Sequence, residues 1–107
     1  MDMKEMPVKE LAERINSDTA PTIIDVREPD EYEYARIPGA VLKPLGRIFE
    51  WAPELDKAQE YVLQCHTGAR SFQAAYMLER MGFKNVSNLT GGIEAWSMHV
   101  DPGVPRY

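Results

Sequence analysis

The chain has 107 residues, 44% of them hydrophobic and 27% charged, with a formal net charge of −5. That profile excludes a disordered chain, and the acidic balance argues against nucleic-acid binding. No apolar run approaches the roughly 20 residues of a membrane span, and Met1 to Pro7 has neither the basic flank nor the apolar stretch of a signal peptide. A single cytoplasmic domain over residues 1–107, with no membrane association, is therefore expected.

Helical and β-like segments alternate along the chain. Val8, Leu11, Ala12 and Ile15 recur at helical spacing and predict an amphipathic helix that ends at Asn16-Ser17-Asp18. Thr22 to Val26 is a β-branched run after Pro21 and predicts a strand. Glu28-Pro29 starts a turn, and Asp30 is placed to cap a short helix over Glu31 to Ala35. Pro38-Gly39 signals a turn before a short strand, Ala40 to Leu42. Pro44 to Trp51 has helical character. Glu60 to Gln64 reads as a strand, with Tyr61, Val62 and Leu63 continuous as in a strand buried on both faces.

A loop, Cys65-His66-Thr67-Gly68-Ala69-Arg70, follows that strand. A helix is then predicted from Ser71 to about Met81, with Ala74, Ala75, Leu78 and Met81 on one face and Gly82 as its stop. Val86 to Leu89 is the next strand, Gly91-Gly92 precedes a helix through Ile93, Ala95 and Trp96, and Asp101 to Tyr107 should be irregular. The order implies an α/β domain with a mainly parallel sheet and helices on both faces. In such sheets ligands bind beyond the carboxyl ends of the strands, which is where Cys65 falls.

Cys65 is the single cysteine, so neither an internal disulfide nor a multi-cysteine zinc site can form. With His66 and His99 as the two histidines, a metal site would have to lean on carboxylates, and none is expected. A lone cysteine is a small buried hydrophobe or a functional thiol. The context favours the second reading. Loop amides can form an anion-binding nest, and the following helix adds its positive end. Both favour a thiolate over a thiol. Gly68 opens backbone angles closed to other residues. Arg70 and His66 add positive charge, and an arginine at a helix start opposes the dipole, so another reason for its presence is implied.

Four segments together resemble the single-domain rhodanese (thiosulfate sulfurtransferase) family. They are Ile23-Ile24-Asp25-Val26-Arg27-Glu28-Pro29-Asp30-Glu31-Tyr32, Ile37-Pro38-Gly39-Ala40, Cys65 to Ser71, and Gly91-Gly92-Ile93-Glu94-Ala95-Trp96. The resemblance covers nearly the whole chain. It implies the rhodanese-like fold, a five-stranded sheet whose first strand forms near Glu5 to Val8. It also implies that Cys65 takes a sulfane sulfur from thiosulfate or another persulfide donor. The resulting cysteine persulfide is held by the loop His66, Thr67, Gly68, Ala69 and Arg70, and passes its sulfur to cyanide or a thiol acceptor without a further cofactor. Arg70 would help to hold an anionic donor.

Related phosphatases of this fold have a seven-residue loop with five residues between cysteine and arginine. Four lie between Cys65 and Arg70, which favours sulfur chemistry over a phosphatase or arsenate reductase. The family's usual Gly-His before Ile-Pro-Gly-Ala is Ala35-Arg36 here. Asp25 and Arg27 read as structural, organising neighbouring loops, and Trp96 as core. The tail from Trp96 to Tyr107 is similar to tails of rhodanese domains fused to adenylyltransferases that activate ubiquitin-like sulfur carriers. A sulfur-carrier or thioredoxin-like protein is thus an implied partner, and a binding or sulfur-relay module without turnover is the alternative role.

Overall fold

A computed structural model describes residues 3–107. Five strands form one sheet: β1 (Glu5–Met6), β2 (Thr22–Asp25), β3 (Val41–Leu42), β4 (Tyr61–Gln64) and β5 (Val86–Leu89). Their order is β1-β5-β4-β2-β3, and every pairing is parallel. The register sets Asp25 beside Gln64 and Leu63 beside Asn88. All carboxyl ends therefore share one edge, with β4 and its sequel Cys65 between β2 and β5.

Helices connect the strands: α1 (Val8–Arg14), α2 (Pro29–Tyr34), α3 (Ile48–Trp51), α4 (Ala69–Arg80) and α5 (Gly92–His99). Strand side chains alternate between the two faces. Ile24 and Leu63 pack with Ile48, Trp51, Ala74 and Leu78 of α3 and α4. Ile23 and Val62 pack with Leu11, Ile93 and Trp96 of α1 and α5. Burying each large side chain contributes about 1.5–3 kcal/mol. Covering both faces also explains why β4 is uninterruptedly apolar before Gln64.

Several boundaries differ from the sequence expectation. The first strand stops at Met6, because Pro7 turns the chain and Val8 already starts α1. The short helix begins at Pro29 rather than Glu31, and its cap is Glu28, not Asp30. Proline's fixed φ suits a first turn, and Glu28 and Glu31 form a reciprocal capping box. The segment after Pro44 splits into a 3-10 turn over Leu45–Arg47, α3, and a second 3-10 turn over Ala52–Glu54. Ala69 and Arg70 are not loop residues but the first turn of α4. The tail is irregular as expected, yet it folds back onto the strand ends.

Candidate active site

Cys65 leaves β4 at the sheet's carboxyl edge and is 1% exposed, packed in the core cluster that α4 covers. Gly68 caps α4 with φ 113°, a left-handed conformation suited to glycine. That turn aims amides back at the sulfur: the N–H groups of Gly68 and Ser71 donate to Cys65 Sγ at 3.1 and 3.3 Å. Ser71 Oγ lies 3.3 Å from the same sulfur and 2.5 Å from Asn88 Oδ1. Asn88 Nδ2 faces only acceptors, the Glu5 carboxylate and the Gly68 carbonyl. Its Oδ1 must therefore accept the Ser71 hydroxyl proton, and the amides are the sulfur's fixed donors.

The other side of the loop rests on α5. Ile93 and Glu94 N–H groups donate to the carbonyls of Cys65 and His66 at 2.9 and 3.0 Å. Gly92 makes that approach feasible. Its φ is 61°, and a Cβ there would lie 2.5 Å from the Cys65 oxygen and 2.6 Å from the His66 oxygen. Both contacts are with backbone, which cannot swing aside. Gly92→Ala is expected to lower stability by about 3 kcal/mol, from the left-handed strain and the overpacking together. It should also displace the loop, which a shifted denaturant midpoint and faster alkylation of Cys65 would register.

The expected loop residues occupy dissimilar environments. Thr67 and Ala69 are exposed, Gly68 is buried, and His66 and Arg70 are half-buried at the rim. The His66 ring stacks on Tyr107, with centroids 4.0 Å apart and planes at 10°. Its Nε2 is 4.0 Å from Glu94 Oε1, while Arg106 donates to Glu94 Oε2 at 2.6 Å. Arg70 does not reach into open space. Its Nη1 and Nη2 donate in a fork to Glu31 Oε1 and Oε2 at 2.7 and 2.9 Å. The arginine expected to help hold an anionic donor thus forks onto a carboxylate of α2.

Glu31 is the hub of a clasp. The Tyr107 hydroxyl donates to its Oε2 at 2.7 Å and accepts from Arg27 Nη1 at 2.8 Å. Arg27 and Asp25 are fully buried, and the Arg27 side chain also donates to the Ala35 carbonyl. Their expected structural role agrees with these contacts. Chiefly the Arg70 fork, opposed by burial and aided by the Glu28 amide and Tyr107 hydroxyl, lowers the Glu31 carboxyl from the ordinary 4.5 to about 2. A depressed carboxylate stabilises the fold above its unfolded value and loses that contribution as pH falls through the folded one. Glu31→Gln should thus destabilise fully above 4.5 and progressively less as pH falls toward and through about 2. Paired urea melts across that range check the sign.

Sequence reasoning missed Glu31, Asn88 and Tyr107. Only Glu31 carried a signal, its place three residues after Glu28 at a helix start. Asn88 sits in a four-residue strand beside Ser87, a pair with no catalytic pattern, and Tyr107 lies in an irregular tail.

Together these features define a parallel α/β domain presenting one amide-cradled thiol at the carboxyl edge of its sheet. The chain belongs to the rhodanese-like domain family, whose match runs over residues 7–99. It is 45% identical over 89 residues to the chloroplastic rhodanese-like/PpiC domain-containing protein 12 of Arabidopsis thaliana, covering 79% of this chain and 30% of that protein. It is 34% identical over 97 residues to a sulfurtransferase of Allochromatium vinosum, covering 91% of each. A rhodanese-like domain protein of Staphylococcus aureus superposes with a TM-score of 0.84 at 30% identity, over 98% of this chain and 99% of that one. The chain spans half or less of two of the curated relatives it matches. Relatives named sulfurtransferases put it in a sulfurtransferase family. Among the described residues no helix is long and apolar enough to cross a membrane.

Proposed function

We propose that the protein is a sulfurtransferase in which Cys65 is the nucleophile. The thiolate attacks the sulfane sulfur of thiosulfate or another persulfide donor. A bond forms between Sγ and that sulfur, the donor's sulfur–sulfur or sulfur–sulfonate bond breaks, and sulfite or a thiolate leaves with the electron pair. The persulfide on Cys65 is the intermediate, and no other cofactor takes part. A thiol or cyanide acceptor then attacks the outer sulfur and restores the thiolate, a two-step exchange with ping-pong kinetics.

The observation that carries this reading is the pair of amides on Sγ, from Gly68 and Ser71. Oriented N–H groups at a helix start stabilise negative charge on sulfur without a metal. The remaining loop residues, His66, Thr67, Ala69 and Arg70, form the rim that the donor meets. Because Cys65 is the one cysteine among these 107 residues, the acceptor group lies outside them. Relatives named for sulfur carriage and for a joint adenylyltransferase and sulfurtransferase role favour a sulfur-carrier protein as that acceptor, with a thioredoxin-like protein as the alternative.

Intact mass after exposure to thiosulfate or glutathione persulfide should show one added sulfur, which cyanide or a thiol then removes. Absence of the adduct with both donors would refute sulfur transfer. An adduct that no acceptor discharges would instead support a binding module of this fold.

A further inference from the structure

Three arginines at the carboxyl edge of the sheet, near the candidate nucleophile, are each held by a carboxylate. Arg70 is forked by Glu31, whose two oxygens take both of its terminal nitrogens. Arg106 is held by Glu94, the residue that also faces His66. Arg27 is paired with Asp25 inside the protein. Each of these cations has one carboxylate, so the three pairs sum to no formal charge. Beyond them the chain carries a net −5, which repels anions at longer range.

At the sulfur itself the positive character comes from the Gly68 and Ser71 amides and the α4 N-terminus, roughly half an elementary charge. That suits a single anionic sulfur on Cys65. It is a poor match for thiosulfate, whose sulfonate adds a second negative charge and three acceptor oxygens that call for a free guanidinium or ammonium. Glu31 is also well built to keep its hold on Arg70. It is mostly buried, it accepts the Tyr107 hydroxyl, and its carboxyl is lowered to about 2, so it stays ionised at neutral pH.

Building on the sulfurtransferase reading, we propose that Glu31 is a specificity-determining residue: by occupying Arg70 it disfavours dianionic donors such as thiosulfate and selects a low-charge alkyl persulfide, R–S–SH. The exchange balances without an outside oxidant. Cys65 Sγ, as thiolate, attacks the outer sulfur of R–S–SH, the donor's sulfur–sulfur bond breaks, and R–S⁻ departs with the electron pair. The proton stays on the outer sulfur, now part of the Cys65 persulfide. One sulfur atom moves, and the negative charge moves the other way.

The test compares sulfur loading of Cys65 by glutathione persulfide and by thiosulfate, in the full chain and in Glu31→Gln. Wild type should load from the persulfide at least about tenfold faster per unit concentration, the order expected of one unmatched charge in a partly screened site. In Glu31→Gln, which keeps the oxygen that the Glu28 amide uses, the ratio should move toward thiosulfate by about fivefold, as one neighbouring charge at the surface permits. Equal use of both donors by wild type, or an unmoved ratio in the variant, would overturn the proposal while leaving sulfur transfer intact. Loading by neither donor would overturn both.

If Glu31→Gln does not fold, salt dependence of the wild type decides. Thiosulfate loading should hold or rise between about 50 and 500 mM salt, since screening then relieves repulsion. A fall of more than about threefold over that range would mean that a free cation attracts the donor, and the proposal fails. A persulfidated protein as a third donor separates the two sources of R–S–SH: faster loading than from glutathione persulfide identifies a macromolecular source, and slower loading a small-molecule one. Either result supports the proposal if thiosulfate stays behind both.

Discussion

Cys65→Ser is expected to take up no sulfur from any donor while remaining folded. A serine hydroxyl at this position is not ionised near neutral pH, and an oxygen–sulfur ester would lack the readily exchangeable sulfur–sulfur bond that makes a persulfide useful. The amides of Gly68 and Ser71 would still find an acceptor there. The change replaces sulfur with a smaller oxygen at a buried site that is 1% exposed, so its stability cost should be modest, about 1 kcal/mol. Intact mass after donor exposure and a thermal melt give the two numbers. Sulfur on the variant would mean that another group, such as a lysine amine, traps it, and Cys65 would lose its assigned role. A melt collapsed by tens of degrees would instead mark Cys65 as a core residue first.

The reasons these features were legible in the sequence, or were not, are local in some cases and tertiary in others. The helix begun near Ser71 follows from periodicity, because one buried face imposes one spacing. Cys65 at a strand-to-helix junction follows from element order, because parallel strands end on one edge. The first turn of α4 did not, since Gly68 reads as a loop residue until its left-handed φ is seen to cap a helix. Nor did the fate of Arg70. A charge near a thiol suggests substrate binding, and only the return of α2 over the sheet edge brings Glu31, 39 residues earlier, into its fork. Tyr107 is harder still. Irregular backbone has no period, so nothing in Asp101 to Tyr107 says that its last ring will stack on His66.

Breaking the Asp25–Arg27 pair should have the largest effect on stability. Arg27 is fully buried, and its Nε and Nη2 donate to Asp25 at 2.9 and 2.7 Å. Asp25→Ala would leave a guanidinium in the interior with its charge unmatched, and Arg27→Met would strand a carboxylate. Either should cost about 3–5 kcal/mol, because an uncompensated buried charge is far worse than a lost contact. A domain of this size has only about 5–15 kcal/mol in all, so each single variant should be close to unfolding at physiological temperature. The double variant Asp25→Ala/Arg27→Met, with no charge left inside, should be more stable than either single one. Urea midpoints of the four proteins measure the coupling, and simple additivity of the two losses would show that the pair is not a unit. A second readout ties this pair to the sulfur site. Arg27 also anchors the Ala35 carbonyl after α2 and the Tyr107 hydroxyl, and α2 carries Glu31. The double variant should therefore fold with a loosened clasp on Arg70, and its preference between thiosulfate and an alkyl persulfide should shift in the same direction as in Glu31→Gln.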